Sequence, residues 1–110
     1  KGNLLNTNAD SIASVLAQAL SLIYDVELLY CFDKDGVLEN IDQPTSSIKT
    51  LTLIKYDQLK SENKLHQGIL PKLKNAFQAK ENNVNKVVLL NENQLQNQIK
   101  FQNEGTEIEM

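Results

Sequence analysis

The sequence contains no arginine: its 11 permanently basic residues are all lysines, against 14 acidic residues and one histidine, for a net charge of −3. With no basic patch and no interleaving of aromatic and basic residues, nothing points to a nucleic-acid partner. It has a single cysteine, Cys31, so no disulfide can form within the chain, and its place in an apolar run predicts a small core residue rather than a nucleophile. Aromatic residues are sparse at 5%, and the hydrophobic fraction of 41% is a little low, yet strong apolar runs exclude a disordered chain. No run approaches the length of a membrane span. No secretory signal is visible either, which makes the cytoplasm the expected location. An initiator methionine is also missing. The chain opens "KGNLLNTNAD", already close to a structured motif, and we read its 110 residues as one small domain that is a piece of a larger protein.

What is present is a regular alternation of patterns. Asn6, Thr7, Asn8 and Asp10 crowd ahead of "SIASVLAQALSLI", whose apolar residues recur at helical spacing. The pattern predicts a helix from Ser11 to Leu22 capped by Asn8 or Asp10, since a short polar oxygen accepts the first turn's unpaired amides. "VELLYCF" reads as a strand covered on both faces. It runs into "DKDGVLEN", where Gly36 allows a positive φ and "GVL" resumes as a short strand. "DQPTSS" is a loop and "SIKTL" a short strand. "TLIKYDQLKSEN" is a second helix. "LHQGILPKLKNAFQAKENN" is a third, with Pro71 tolerated in its first turn. "NKVVLLN" is a buried strand, "ENQLQNQI" a short helix and "GTEIEM" an alternating strand. The asparagine- and glutamine-rich stretches are broken by apolar residues and read as solvated helix faces and loops. Helices alternating with apolar strands imply an α/β fold, a three-layer α/β/α sandwich with a mainly parallel sheet.

Two carboxylates, Asp33 and Asp35, follow the first strand in "FDKDGVL". This wording resembles the first motif of haloacid-dehalogenase-type phosphohydrolases, in which the first aspartate is a nucleophile and the second an acid. That chemistry also needs magnesium held by further carboxylates, commonly a close acidic pair after a later strand. The aspartates beyond Asp35 are Asp42 and Asp57, neither of which follows a strand-like run, and "VVLL" ends in Asn91 and Glu92. A non-catalytic nucleotide-binding domain is the other alternative from a different class.

Several segments taken together carry a broader resemblance. In order and spacing, "NLLNTNADSIASVLAQAL", "VELLYCFDKDGVL", "QGILPKLKNAFQA", "KVVLLN" and "GTEI" resemble the C-terminal, ATP-binding half of the acetylglutamate kinases, in the amino-acid kinase family. The likeness spans essentially all 110 residues. It implies the C-terminal half of that family's fold, with the N-terminal half absent. It also implies transfer of the γ-phosphoryl group of ATP, with magnesium, to the side-chain carboxylate of an N-acylated glutamate in arginine biosynthesis. The parent would be a homo-oligomer assembled through the missing half.

Carried over residue by residue, Lys72 in "LPKL" matches the family's transition-state-stabilising lysine, and Asp10 the aspartate that organises its catalytic lysines. Their bland counterparts are a solvated helix lysine, like Lys74, and a helix cap. Asn6 matches the asparagine that contacts the substrate's α-carboxylate. For the nucleotide the resemblance points to Asp33, Lys34, Asp35, Gly36, Val37 and Leu38, with Lys64, Leu65 and His66 beside them. Asp33 becomes a turn carboxylate here rather than a nucleophile, while Lys34 and Asp35 depart from the family's usual wording. No protein-held metal site is expected. The fragment alone is expected to be inactive, because the glycine-rich phosphate loop and a second catalytic lysine belong to the other half.

Overall fold

The structure is a computed structural model that describes residues 2–39, 42, 46–65, 67–101 and 104–110, with the backbone course alone for 2–8 and 101. Four helices and four strands follow one another as α1 (Gly2–Leu20), β1 (Glu27–Phe32), β2 (Thr50–Thr52), α2 (Leu53–Ser61), α3 (Leu70–Glu81), β3 (Lys86–Asn91), α4 (Leu95–Phe101) and β4 (Thr106–Glu109). Short 3₁₀ turns at Gln67–Ile69 and Glu92–Gln94 lead into α3 and α4.

The sheet has the order β1-β3-β4-β2. β1 pairs with β3 in parallel, placing Tyr30 opposite Leu89, and β2 pairs with β4 in parallel, placing Leu51 opposite Ile108. The central β3–β4 pair is antiparallel, with Val88 opposite Glu107. The sheet is therefore mixed and mostly parallel, as expected. Gly105 makes the close β3–β4 approach possible: its φ is +72°, and a Cβ there would stand 2.4 Å from the Leu89 carbonyl oxygen.

Helices α1 and α3 pack on each other and on the sheet. The strand period of two sends Leu28, Tyr30 and Phe32 of β1, Val87 and Leu89 of β3, Leu51 and Ile108 into one core. Leu59 from α2 and Leu73, Ala76 and Phe77 from α3 complete it, with the Tyr56 and Phe77 rings 5.0 Å apart. The same alternation corrects the reading of Cys31. It lies between Tyr30 and Phe32, so it points to the opposite face, where it is exposed rather than buried.

Three element boundaries also differ from expectation. Helix α1 begins at Gly2, not Ser11, so neither Asn8 nor Asp10 is a cap. A polar residue caps only where the chain before it is non-helical, and here "NLLN" and Ala9 carry the helix through. "GVL" is not a strand: Leu38 makes one isolated antiparallel bridge to Ser47. "SIKTL" contributes only its end to β2.

The inner face of α1 is made of small residues, Ala13, Ser14 and Ala17, which let α3 approach closely enough for the Ser14 hydroxyl to donate to the Asn75 carbonyl at 3.0 Å. Its outer side and the following turn are apolar but uncovered, with Ile12 and Val15 each 62% exposed and Ile23 77% exposed. No helix among the described residues is long and apolar enough to cross a membrane.

Candidate active site

At the carboxyl end of β1 the chain turns away through Asp33–Leu38, and across from this turn lies the start of α3. A cavity of about 380 Å³ separates them. Crevices at the carboxyl ends of parallel strands are the usual ligand sites of α/β sheets, and this volume falls in the range of small-molecule pockets. Phe32, Val37, Leu38, Leu65 and Ile69 give it apolar walls. Asp33, Lys34, Asp42 and Lys72 place charge at it, and Gly36 and Gly68 leave backbone without side chains beside it.

The turn is held from behind. The Thr106 hydroxyl, fully buried at the start of β4, accepts from the Val37 amide at 2.8 Å and donates to the Ile48 carbonyl. The Ile48 amide donates back to the Val37 carbonyl at 2.7 Å. Gly36 has a φ of +152°, and a Cβ there would lie 2.6 Å from the Thr106 hydroxyl oxygen. Only glycine therefore lets the turn seat against β4.

On the other side, α3 opens with Pro71 in its first turn and no side chain capping its N-terminus. The 3₁₀ turn Gln67–Ile69 runs straight into it, and Gly68, Ile69 and Lys72 put this end of the helix, with its positive dipole, at the cavity. Lys72 adds a full charge. Its ammonium donates to Asp10 Oδ2 at 2.8 Å, joining α3 to the middle of α1 across 62 residues of sequence. Both side chains are partly exposed, at 25% and 29%, so the pair is reachable by a ligand. Because Asp10 is interior to α1 rather than at its end, its carboxylate is available to this contact.

Tyr30 lies beneath the pair. Its hydroxyl donates to the Asp10 backbone carbonyl at 2.7 Å, and its ring centroid is 5.9 Å from Lys72 Nζ. Burial first, and then the Asp10 charge, push its phenol up to about 12, partly offset by a hydrogen bond with Ser14.

The structure thus brings together Asp10, Lys72, Asp33, Lys34, Gly36, Val37, Leu38 and Leu65 around one end of the sheet. Asp35 is exposed and does not line the cavity. Lys64 is also exposed and pairs with Glu62 at 3.3 Å instead. The Asn6 side chain and His66 lie outside the described residues. Phe32, Asp42, Gly68 and Ile69 join the lining without having been singled out, and "QGILPK" carried the signal: a glycine before a proline-started helix marks a backbone that a ligand can approach. No group of three or more histidine, cysteine, aspartate or glutamate residues is placed to hold a metal ion among the described residues. Asp42 shares the cavity with Asp33, but among the described residues no close acidic pair joins them as a magnesium-dependent aspartyl nucleophile requires.

The chain is similar to several known proteins. The amino acid kinase family matches residues 1–91. An acetylglutamate kinase of Bacteroides thetaiotaomicron is 43% identical over 108 residues, covering 98% of this chain but 40% of that protein. One from Methanosarcina barkeri is 38% identical over 91 residues, covering 83% of this chain and 27% of that protein. Among solved structures, a carbamate kinase from Giardia lamblia bound to AMP-PNP superposes with a TM-score of 0.68 at 18% identity, over 86% of this chain and 33% of that one. A protein from Aeropyrum pernix K1 superposes with a TM-score of 0.70 at 20% identity, over 88% and 30%. At such identities the two structures establish the fold alone. The chain spans well under half the length of the curated relatives it matches.

Proposed function

The chain belongs to the amino-acid kinase family, and from that premise we propose that it is the nucleotide-binding part of an ATP-dependent phosphotransferase whose acceptor is the side-chain carboxylate of an N-acylated glutamate. The relatives named acetylglutamate kinase supply the substrate class. The observation that carries the reading is the Lys72–Asp10 pair at a cavity that the start of α3 also faces.

The chemistry follows from that placement. The acceptor carboxylate forms a bond to the γ-phosphorus of ATP as the bond to the ADP oxygen breaks, giving an acyl phosphate without a covalent enzyme intermediate. Catalysis is then positioning and neutralisation of negative charge. Lys72 stabilises the charge that gathers on the transferring group, and the α3 N-terminus adds its dipole. Asp10 holds the ammonium at one place rather than letting a flexible side chain wander. The apolar walls between Val37, Leu38, Leu65 and Ile69 suit a base or ribose, and Gly36 and Gly68 keep side chains off the cavity beside them. A magnesium ion fits this donor set only as a companion of the triphosphate, held mainly by phosphate oxygens and water with Asp33 or Asp42 nearby.

The remaining parts of the catalytic site belong to the rest of the polypeptide. The exposed apolar side of α1 is where that remainder would pack, since so large an uncovered apolar face on a 19-residue helix is costly in water. The whole polypeptide should form acyl phosphate from ATP and N-acetylglutamate, trapped as the hydroxamate with hydroxylamine. Lys72→Ala and Asp10→Ala should each lower turnover by about 100-fold or more. Full turnover in both variants would overturn the assignment of these residues, and nucleotide binding without any transfer would overturn the activity.

A further inference from the structure

We propose that Tyr30 is a positioning residue for the Lys72–Asp10 pair, fixing the Asp10 backbone from below through its hydroxyl and the ammonium through its ring. The inference rests on the phosphotransferase reading above, and deepens it by naming what sets the geometry of the charged pair.

Two contacts converge on this one side chain, and a third closes the triangle. The hydroxyl reaches the Asp10 carbonyl at 2.7 Å, the ring centroid lies 5.9 Å from Lys72 Nζ, and Lys72 Nζ reaches Asp10 Oδ2 at 2.8 Å. The pair joins two side chains on different helices, and a lysine on four rotatable bonds has many ways to leave a single partner. Tyr30 removes that freedom because it is on neither helix. It stands on β1, 5% exposed and locked in the core, so it measures the position of both α1 and α3 against the sheet. The aromatic face attracts the ammonium without offering it a second anion. Lys72 keeps its charge for a ligand while being held at a defined height over the cavity.

Packing alone does not call for this residue. Leu28 and Phe32 occupy the neighbouring core-facing positions of β1 with wholly apolar side chains. A hydroxyl at Tyr30 buries a polar group that needs a partner, and the partner it takes is the backbone of the very residue that holds Lys72. The Ser14 hydroxyl, one helical turn from Asp10, is tied in turn to the Asn75 carbonyl of α3 and receives Gln18 Nε2 at 3.0 Å. These bonds keep the two helices in register around the site.

The test uses the whole polypeptide, with hydroxamate formation followed at varied ATP and with rates normalised to the folded fraction. Tyr30→Leu removes both ring and hydroxyl and should lower kcat about tenfold, with the KM for ATP changed less than about twofold, since misplacement acts on the transition state. Tyr30→Phe restores the ring and should recover most of that loss, to within about threefold of the parent. If Tyr30→Leu does not fold, the double-mutant cycle of Tyr30→Phe with Asp10→Asn takes its place, and the two effects should fail to multiply. Unchanged kcat in Tyr30→Leu, equal losses in kcat/KM carried by KM alone, or a multiplicative cycle would overturn the inference. Each of these leaves the phosphotransferase reading standing provided Lys72→Ala is inactive; full activity in Lys72→Ala would overturn both together.

Discussion

Replacing Thr106 by valine should do more damage than its size suggests. The two side chains have nearly the same shape, so packing against Val37, Gly36 and Leu89 is kept and only the hydroxyl is lost. That hydroxyl is fully buried and serves two backbone groups, accepting from the Val37 amide at 2.8 Å and donating to the Ile48 carbonyl. Water cannot replace it at a site with no exposure, so Val37 N–H is left unsatisfied at a cost of about 1–3 kcal/mol, and the partly buried Ile48 carbonyl loses its donor for about 1 kcal/mol more. A total of about 2–4 kcal/mol is a sizeable share of the roughly 5–15 kcal/mol that holds an ordinary domain together. In urea the unfolding midpoint should fall by about 1–2 M with an unchanged slope. Thr106→Ser keeps both bonds and removes one methyl group, for about 1 kcal/mol. Because Val37 and Leu38 wall the cavity, the valine variant should also bind ATP more weakly than the serine variant in a titration of the folded protein. Equal midpoints for Thr106→Val and Thr106→Ser would refute the reasoning, since the methyl and not the hydroxyl would then carry the energy.

Other outcomes follow from the same geometry. Gly36→Ala should lose about 1–3 kcal/mol in the same denaturation assay, because its Cβ would stand 2.6 Å from the Thr106 hydroxyl at a φ of +152°. Tyr30 should ionise near pH 12 in an absorbance titration at alkaline pH. Its folded pKa lies above the ordinary value of 10.0, so the neutral phenol is the form favoured by folding. Its contribution is therefore complete below pH 10 and lost as pH rises toward 12, a decline that Tyr30→Phe should remove. Val15→Glu should leave the isolated 110-residue chain less prone to associate, yet weaken the whole polypeptide by about 2 kcal/mol or more, as read by light scattering and by denaturation respectively.

Most of the architecture was legible because the relevant patterns are local. The four-residue apolar centre of "KVVLLN" announced a buried strand, and Pro71 lies in the first turn of α3 as read, whereas "VELLYCF", read as covered on both faces, is exposed on one. What could not be read depends on contacts far apart in sequence. Taken alone, Asp10 looked like a cap because its neighbours are cap-forming residues; the resemblance tied it to the catalytic lysines, and the helix upstream of it is what makes it an interior residue facing Lys72. "GVL" looked like a strand because it is apolar and follows a glycine, but its backbone is satisfied by the Thr106 side chain rather than by a ladder. Cys31 looked buried because its run is apolar, and the alternation that exposes it needs to know which face of β1 is covered. Tyr30 was passed over for a related reason. Nothing in "ELLYCF" says that its hydroxyl meets a carbonyl 20 residues earlier.

The strand order has a consequence for how the molecule comes into being. β4 follows the other three strands in the sequence, yet it lies in the interior of the described sheet and is the strand that both β3 and β2 pair with there. During synthesis β1 and β3 can zip together as soon as β3 emerges, whereas β2 and the α2 helix behind it must wait for a final insertion. A chain cut short before Thr106 would hold β1 and β3 paired beside an open seam, prone to take a strand from a neighbouring chain.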